Sequence, residues 1–101
     1  MTDRFPVADP SEVLVLTFDF SADLGIGESI TGATITSSLD DGYGTDPVPQ
    51  NIVALFTVLS TSVQIQVSNM LADNDYHIHV SVPTSNGCTL AFAKVLPVRV
   101  V

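Results

Sequence analysis

The sequence predicts an all-β fold: a sandwich of antiparallel sheets built from about seven short strands. Three observations carry that reading. Apolar and polar residues alternate in runs, as where Tyr76, Ile78, Val80 and Val82 interleave with His77, His79 and Ser81. A period of two places one such set on a buried face. Turn formers interrupt the runs about every ten positions, the spacing of sandwich strands. No stretch carries helical periodicity; the nearest, Ser68 to Asp73, has room for one turn.

Composition narrows the class further. The chain has 101 residues, 46% apolar and 14% charged, which suits one packed domain and is too short for two. Lys and Arg total 3 against 11 Asp and Glu, leaving a net charge of -8. A reader of backbone phosphates needs several cations on one face, so no nucleic-acid partner is expected. An anionic membrane is excluded on the same ground. Such acidity keeps a free protein soluble and suits docking on a basic partner. Cys88 is the 1 cysteine, so no intrachain disulfide forms, which leans toward an intracellular setting. The opening MTDRFPVADP lacks the pattern of a signal peptide. The longest apolar run, Ile52 to Leu59, is far short of a membrane span. A soluble protein made in the cytosol is expected.

Taken in order, residues 1–11 hold Pro6 and Pro10 and little periodicity. They read as an extended N-terminal arm, ordered by a neighbour and contributing contacts rather than core. A single sandwich domain then spans 12–101. Glu12 to Phe20 is the first strand, with Leu14, Leu16, Phe18 and Phe20 inward. Val13 and Val15 give its start a second apolar face, expected to be covered. Ser29 to Ser38 is the second strand, with Gly32 marking a bulge or close approach. Leu39 to Asn51 is the longest irregular piece. Ile52 to Leu59 is apolar on both faces and is expected at a sheet centre. Val63 to Val67 follows, with Val63, Ile65 and Val67 inward. A polar corner then leads to Tyr76. Leu71 and Tyr76 bracket it much as in the tyrosine corner of Ig-like domains, whose hydroxyl bonds back to upstream backbone. An ordinary strand-starting Tyr is the alternative.

The last stretch, Tyr76 to Val101, is a hairpin broken at Ser85-Asn86-Gly87. A two-residue loop, Asn86-Gly87, would pair Val82 with Ala91 and turn Leu90 and Phe92 outward. A three-residue loop with Gly87 left-handed would instead pair Val82 with Leu90 and Val80 with Phe92. His77, His79, Ala91 and Ala93 would then form the outer face. A core without Trp needs its large side chains, which favours the three-residue loop. Its cost is Lys94 opposite Ile78 on the inner face, which calls for a bulge or a snorkelling stem.

Two segments share a pattern with known proteins. The first is DPSEVLVLTFDFSADLGIGESI, residues 9–30, with Asp9-Pro10, Glu12, Asp19-Phe20-Ser21, Leu24 and Gly27-Glu28-Ser29-Ile30. The second runs over 63–100: an alternating strand, a polar corner, Tyr76, a second alternating strand, a Gly turn and a final strand. Across about two-thirds of its length the chain resembles small Ig-like proteins encoded in the structural gene modules of tailed phages and prophages. Some of these are fiber–tail adaptor or neck proteins. The family tends to carry Trp after that Asp, and often a second before the Leu; this chain has Phe20 and Asp23. It has Cys88 where the family usually has a basic residue after the turn glycine. The resemblance implies an architectural, non-enzymatic role at a neck or tail adaptor, and it brings no functional residues to transfer. It implies a location in the virion after synthesis in the host bacterial cytoplasm. The implied partners are other virion proteins (portal or neck, tail or capsid), with the chain a homo-oligomer in the particle. A capsid decoration (cement) protein and a soluble Ig-like module binding a ligand through its loops are the alternatives.

Candidate chemistry is sparse. His77 and His79 point the same way and could supply half a Zn or Ni site, but the predicted outward neighbours are Ser, Ala and Lys. Solvated or interface histidines, or a pH-sensitive contact, suit them better. Asp40-Asp41-Gly42 with Asp46, and Asp73-Asn74-Asp75, resemble fragments of Ca²⁺ loops without the required spacing. Gly25-Ile26-Gly27 lacks the third glycine and the Lys of a phosphate loop. No Gly-x-Ser-x-Gly elbow occurs. Cys88 has no nearby cation to activate it and reads as structural. No enzyme, cofactor or metal site is expected; the expected interface residues are Phe5, Val7, Val13, Val15, His77 and His79.

Overall fold

Strand pairing follows the alternation closely in this chain, whose computed structural model describes residues 3–39 and 46–100. The strands are β1 (Asp3–Arg4), β2 (Leu14–Asp19), β3 (Thr34–Leu39), β4 (Val53–Val58), β5 (Ser62–Val67), β6 (Asn74–Pro83) and β7 (Thr89–Val98). They form a four-stranded sheet, β1-β7-β6-β3, and a three-stranded sheet, β2-β5-β4. All ladders are antiparallel except β1 on β7. This is the strand arrangement of an Ig-like sandwich.

The core lies between the sheets. Phe18 and Phe20 of the smaller sheet are fully buried. Phe18 meets Phe5 and Phe92 edge-on, at ring-centroid distances of 5.6 and 6.1 Å. Phe20 meets Phe92 at 6.2 Å. Edge-to-face rings add to the burial of their area, and this cluster fills the middle of a sandwich that has no Trp.

The hairpin takes the three-residue loop. Val82 pairs with Leu90 and Val80 with Phe92, without a register shift from Asn74↔Val98 to Pro83↔Thr89. Gly87 has φ +79°, and Thr84 N–H bonds to the Cys88 carbonyl across the loop. Lys94 does lie opposite Ile78, and it resolves the conflict by snorkelling. Its Nζ sits 4.7 Å from the Phe5 ring centroid and 5.5 Å from that of Phe92, so aromatic faces receive the charge.

The tyrosine corner is present. Leu71 N–H donates to Tyr76 Oη at 3.0 Å, and the hydroxyl donates to Asp46 Oδ2 at 2.6 Å. Burial pushes the phenol up to about 12, and the bond to Asp46 acts in the same direction. Asn74, fully buried, donates to the carbonyls of Leu71 and Ala72 and accepts from Asp46 N–H. Asp46 and Asn74 therefore serve the corner, and Asp75 pairs with Arg99 at 2.9 Å. Asp40, Asp41 and Gly42 lie outside the described residues.

Three expectations are corrected. The arm belongs to the sandwich: β1 runs along β7, Ala8 is 1% exposed, and Phe5 packs on the core. Its prolines break the alternation without breaking the pairing, because Phe5 and Ala8 still donate N–H to Val95 and Pro97 carbonyls. The second strand starts at Thr34; Ile30 makes only an isolated bridge to Thr84, and Gly32 is not closely approached. Most consequential, β4 is an edge strand and not a central one, with Leu55 and Phe56 exposed on opposite faces.

Candidate functional site

The arm stays with β7 until Ala8 and then turns sharply. Asp9 and Glu12 fix that turn reciprocally. Glu12 N–H donates to the Asp9 carbonyl, Asp9 N–H donates to Glu12 Oε1, and the Asp9 carboxylate accepts from Ser11. Such self-bonding is typical of Asp and Ser in turns. The chain then enters β2 in the opposite sheet. Among the described residues no strand pairs with the outer edge of β2.

Between arm and β2 a groove of about 350 Å³ remains open, lined by Phe5, Pro6, Val7, Leu14, Val15, Leu16 and Leu96, with Glu12 and Thr17. Val7, Val13 and Val15 are 55%, 61% and 63% exposed. An apolar groove beside an unpaired strand edge offers two kinds of contact at once. The edge can hydrogen-bond an extended segment, and the groove can take its alternate side chains.

Three of the six expected interface residues meet here: Phe5, Val7 and Val15 line the groove, while Val13, between the lining residues Glu12 and Leu14, is exposed but not part of the lining. Phe5 is also a core residue through Phe18. His77 and His79 are elsewhere, half-buried on the outer face of the larger sheet. They pair with Val95 and Ala93 on one side and Ser38 and Thr36 on the other. Among the described residues no group of three or more His, Cys, Asp or Glu could hold a metal ion.

Sequence reasoning missed two surface features. Two apolar faces over Ile52 to Leu59 suggest a central strand, yet Leu55 and Phe56, large apolar neighbours on opposite faces, also fit an exposed edge. Ile26, fully exposed between Gly25 and Gly27, marks the end where the β2–β3, β4–β5 and β6–β7 loops gather. That end is knitted together by Ile30 N–H to the Ser60 carbonyl, Ser85 N–H to the Ser29 carbonyl, and the Thr84 hydroxyl to Glu28. Glu28 also accepts from Gly25 N–H, and these bonds hold its carboxyl below its usual value.

No protein-family model matches the chain, and no curated protein matches it.

Proposed function

We propose that the protein is a non-enzymatic structural component of a tailed-phage virion, a neck or tail adaptor that joins neighbouring virion proteins. The observation that carries the joining role is the unpaired edge of β2 beside its apolar groove, with Val7, Val13 and Val15 exposed. Exposed apolar patches of this kind are how interaction sites look on small proteins. The virion setting rests on the resemblance of residues 9–30 and 63–100 to phage Ig-like proteins. The occupant of the groove is an extended segment of an adjoining particle protein, and the acidic body favours a basic one.

A second reading is favoured by the loop cluster around Ile26. Ig-like modules bind ligands through loops gathered at one end, so a soluble binding module would use that end instead. Immuno-electron microscopy of particles with an antibody to this protein separates the readings. Label at a single vertex is expected of a neck or tail adaptor. Label over the whole shell points to a decoration protein, and unlabelled particles to a soluble module.

A further inference from the structure

We infer that the free edge of β4 is where two copies of this chain join, strand against strand and antiparallel about a twofold axis. Sheet edges invite pairing, and soluble proteins blunt them with short strands, charges, prolines or covering side chains. Two of the other edges are closed within the chain, and the third is open but charged at its ends. β1 is only two residues long. The edge of β3 is covered by Gln50, whose amide accepts from Ser37 N–H at 2.7 Å and donates to the Ile35 carbonyl at 3.1 Å. Acidic residues flank β2 at Glu12 and Asp19.

β4 has a bulge at its start, between Val53 and Leu55, and none of these devices from Leu55 onward. It reads VALFTV, without charge or proline, and no described strand pairs with its outer edge. Leu55 is 56% exposed on the outer face, and Phe56 is 46% exposed on the inner one. The outer rows beside the edge are Leu55–Gln66–Val15 and Thr57–Gln64–Thr17. They carry no charge either, in a chain whose net charge is -8.

The charge pattern selects the occupant. A basic partner would be drawn to acidic surface, whereas two copies at -8 can approach only where charge is absent. Leu55 and Phe56 are the middle residues of β4, so a twofold axis there places like residues near like residues on both faces. The pairing would make one continuous six-stranded sheet, β2-β5-β4 and its copy. It is independent of the adaptor reading and stands if that reading fails.

Sedimentation equilibrium of the full chain at several NaCl concentrations tests this, with amide hydrogen exchange read along β4. A monomer–dimer equilibrium is expected that tightens as salt screens the repulsion, with β4 amides gaining protection as dimer forms. Leu55→Lys should weaken association about tenfold or more while leaving the melt unchanged. If that variant misfolds, Thr57→Lys in the next outer row replaces it. Val15→Lys, equal in charge but on the far strand, should leave association intact. A monomer at every concentration, unprotected β4 amides in the dimer, or association that weakens with salt would each overturn the inference. So would equal damage from Val15→Lys, which would mean stacking of sheet faces.

Discussion

The two sheets of this sandwich bury similar inner faces and finish their outer edges in opposite ways. The β1-β7-β6-β3 sheet closes itself, with the short arm strand along β7 and the Gln50 amide along β3. Among the described residues the β2-β5-β4 sheet leaves both edges unpaired and keeps Val15 and Leu55 exposed on an outer face charged only toward the end of β2, at Asp19. One sheet is finished within the chain; the other is where both proposed contacts lie. Apolar residues in this protein thus serve two purposes, and the face they occupy decides which.

Two substitutions on β2 separate those purposes most sharply. Phe18 is fully buried between the rings of Phe5 and Phe92, so Phe18→Ala should cost about 4 kcal/mol of folding stability. Val15 is on the opposite face at 63% exposure. Val15→Ala should change stability by less than about 0.5 kcal/mol while weakening capture of an extended partner segment at the groove. Urea unfolding of both variants is the measurement. A large loss for Val15→Ala would mean that the outer face is held within the chain after all.

The inward faces of β2, β5, β6 and β7 are legible in the sequence, and the edges of both sheets are not. The hairpin register follows from local facts: Gly87 in the loop and the need to place Leu90 and Phe92 inside. The tyrosine corner likewise depends on residues five apart. The position of β4 is another matter. A period of two says which face a side chain takes but not which strands stand beside it, so VALFTV reads as central when it is peripheral. The Gln50 cover on β3 and the pairing of the arm on β7 are contacts at long separation with no local signature. Several residues in the phage-like segments have turn duties in the structure. Asp9 and Glu12 lock one turn, Asp19 accepts from Ser21 N–H, and Glu28 accepts from Gly25 N–H. Their pattern therefore speaks for the fold more directly than for a partner.

The corner between the sheets offers an intermediate test. Tyr76→Phe leaves Leu71 N–H and Asp46 Oδ2 without this partner and should cost about 2 kcal/mol near neutral pH. The phenol's folded value, pushed up to about 12 from an ordinary 10.0, adds a pH signature. The native state holds that proton more tightly, so the contribution is complete below pH 10 and lost as pH rises toward 12. Urea unfolding near neutrality and at about pH 11 should show this loss in the parent and less of it in Tyr76→Phe. Equal alkaline loss in both proteins would place the titrating group elsewhere.

A modest expected loss of stability accompanies the substitution that most directly converts one sheet into the other. Gln50 is exposed, yet its amide makes two bonds that a neighbouring strand would otherwise make, to Ser37 N–H and the Ile35 carbonyl. Gln50→Ala removes both while leaving the core untouched, for about 1 kcal/mol. The uncovered edge of β3 would then resemble that of β4 in offering unpaired backbone, and strand edges in that state recruit other strands. The variant should therefore associate more strongly than the parent, with amide protection at β3 that rises with protein concentration. Thr34 and Thr36 make this edge more polar than Leu55 and Phe56 make β4, so the new association should be the weaker of the two. If Gln50→Ala stays no more associated than the parent, unpaired backbone alone does not make an edge adhesive. The apolar side chains of β4 would then be the decisive difference between the sheets.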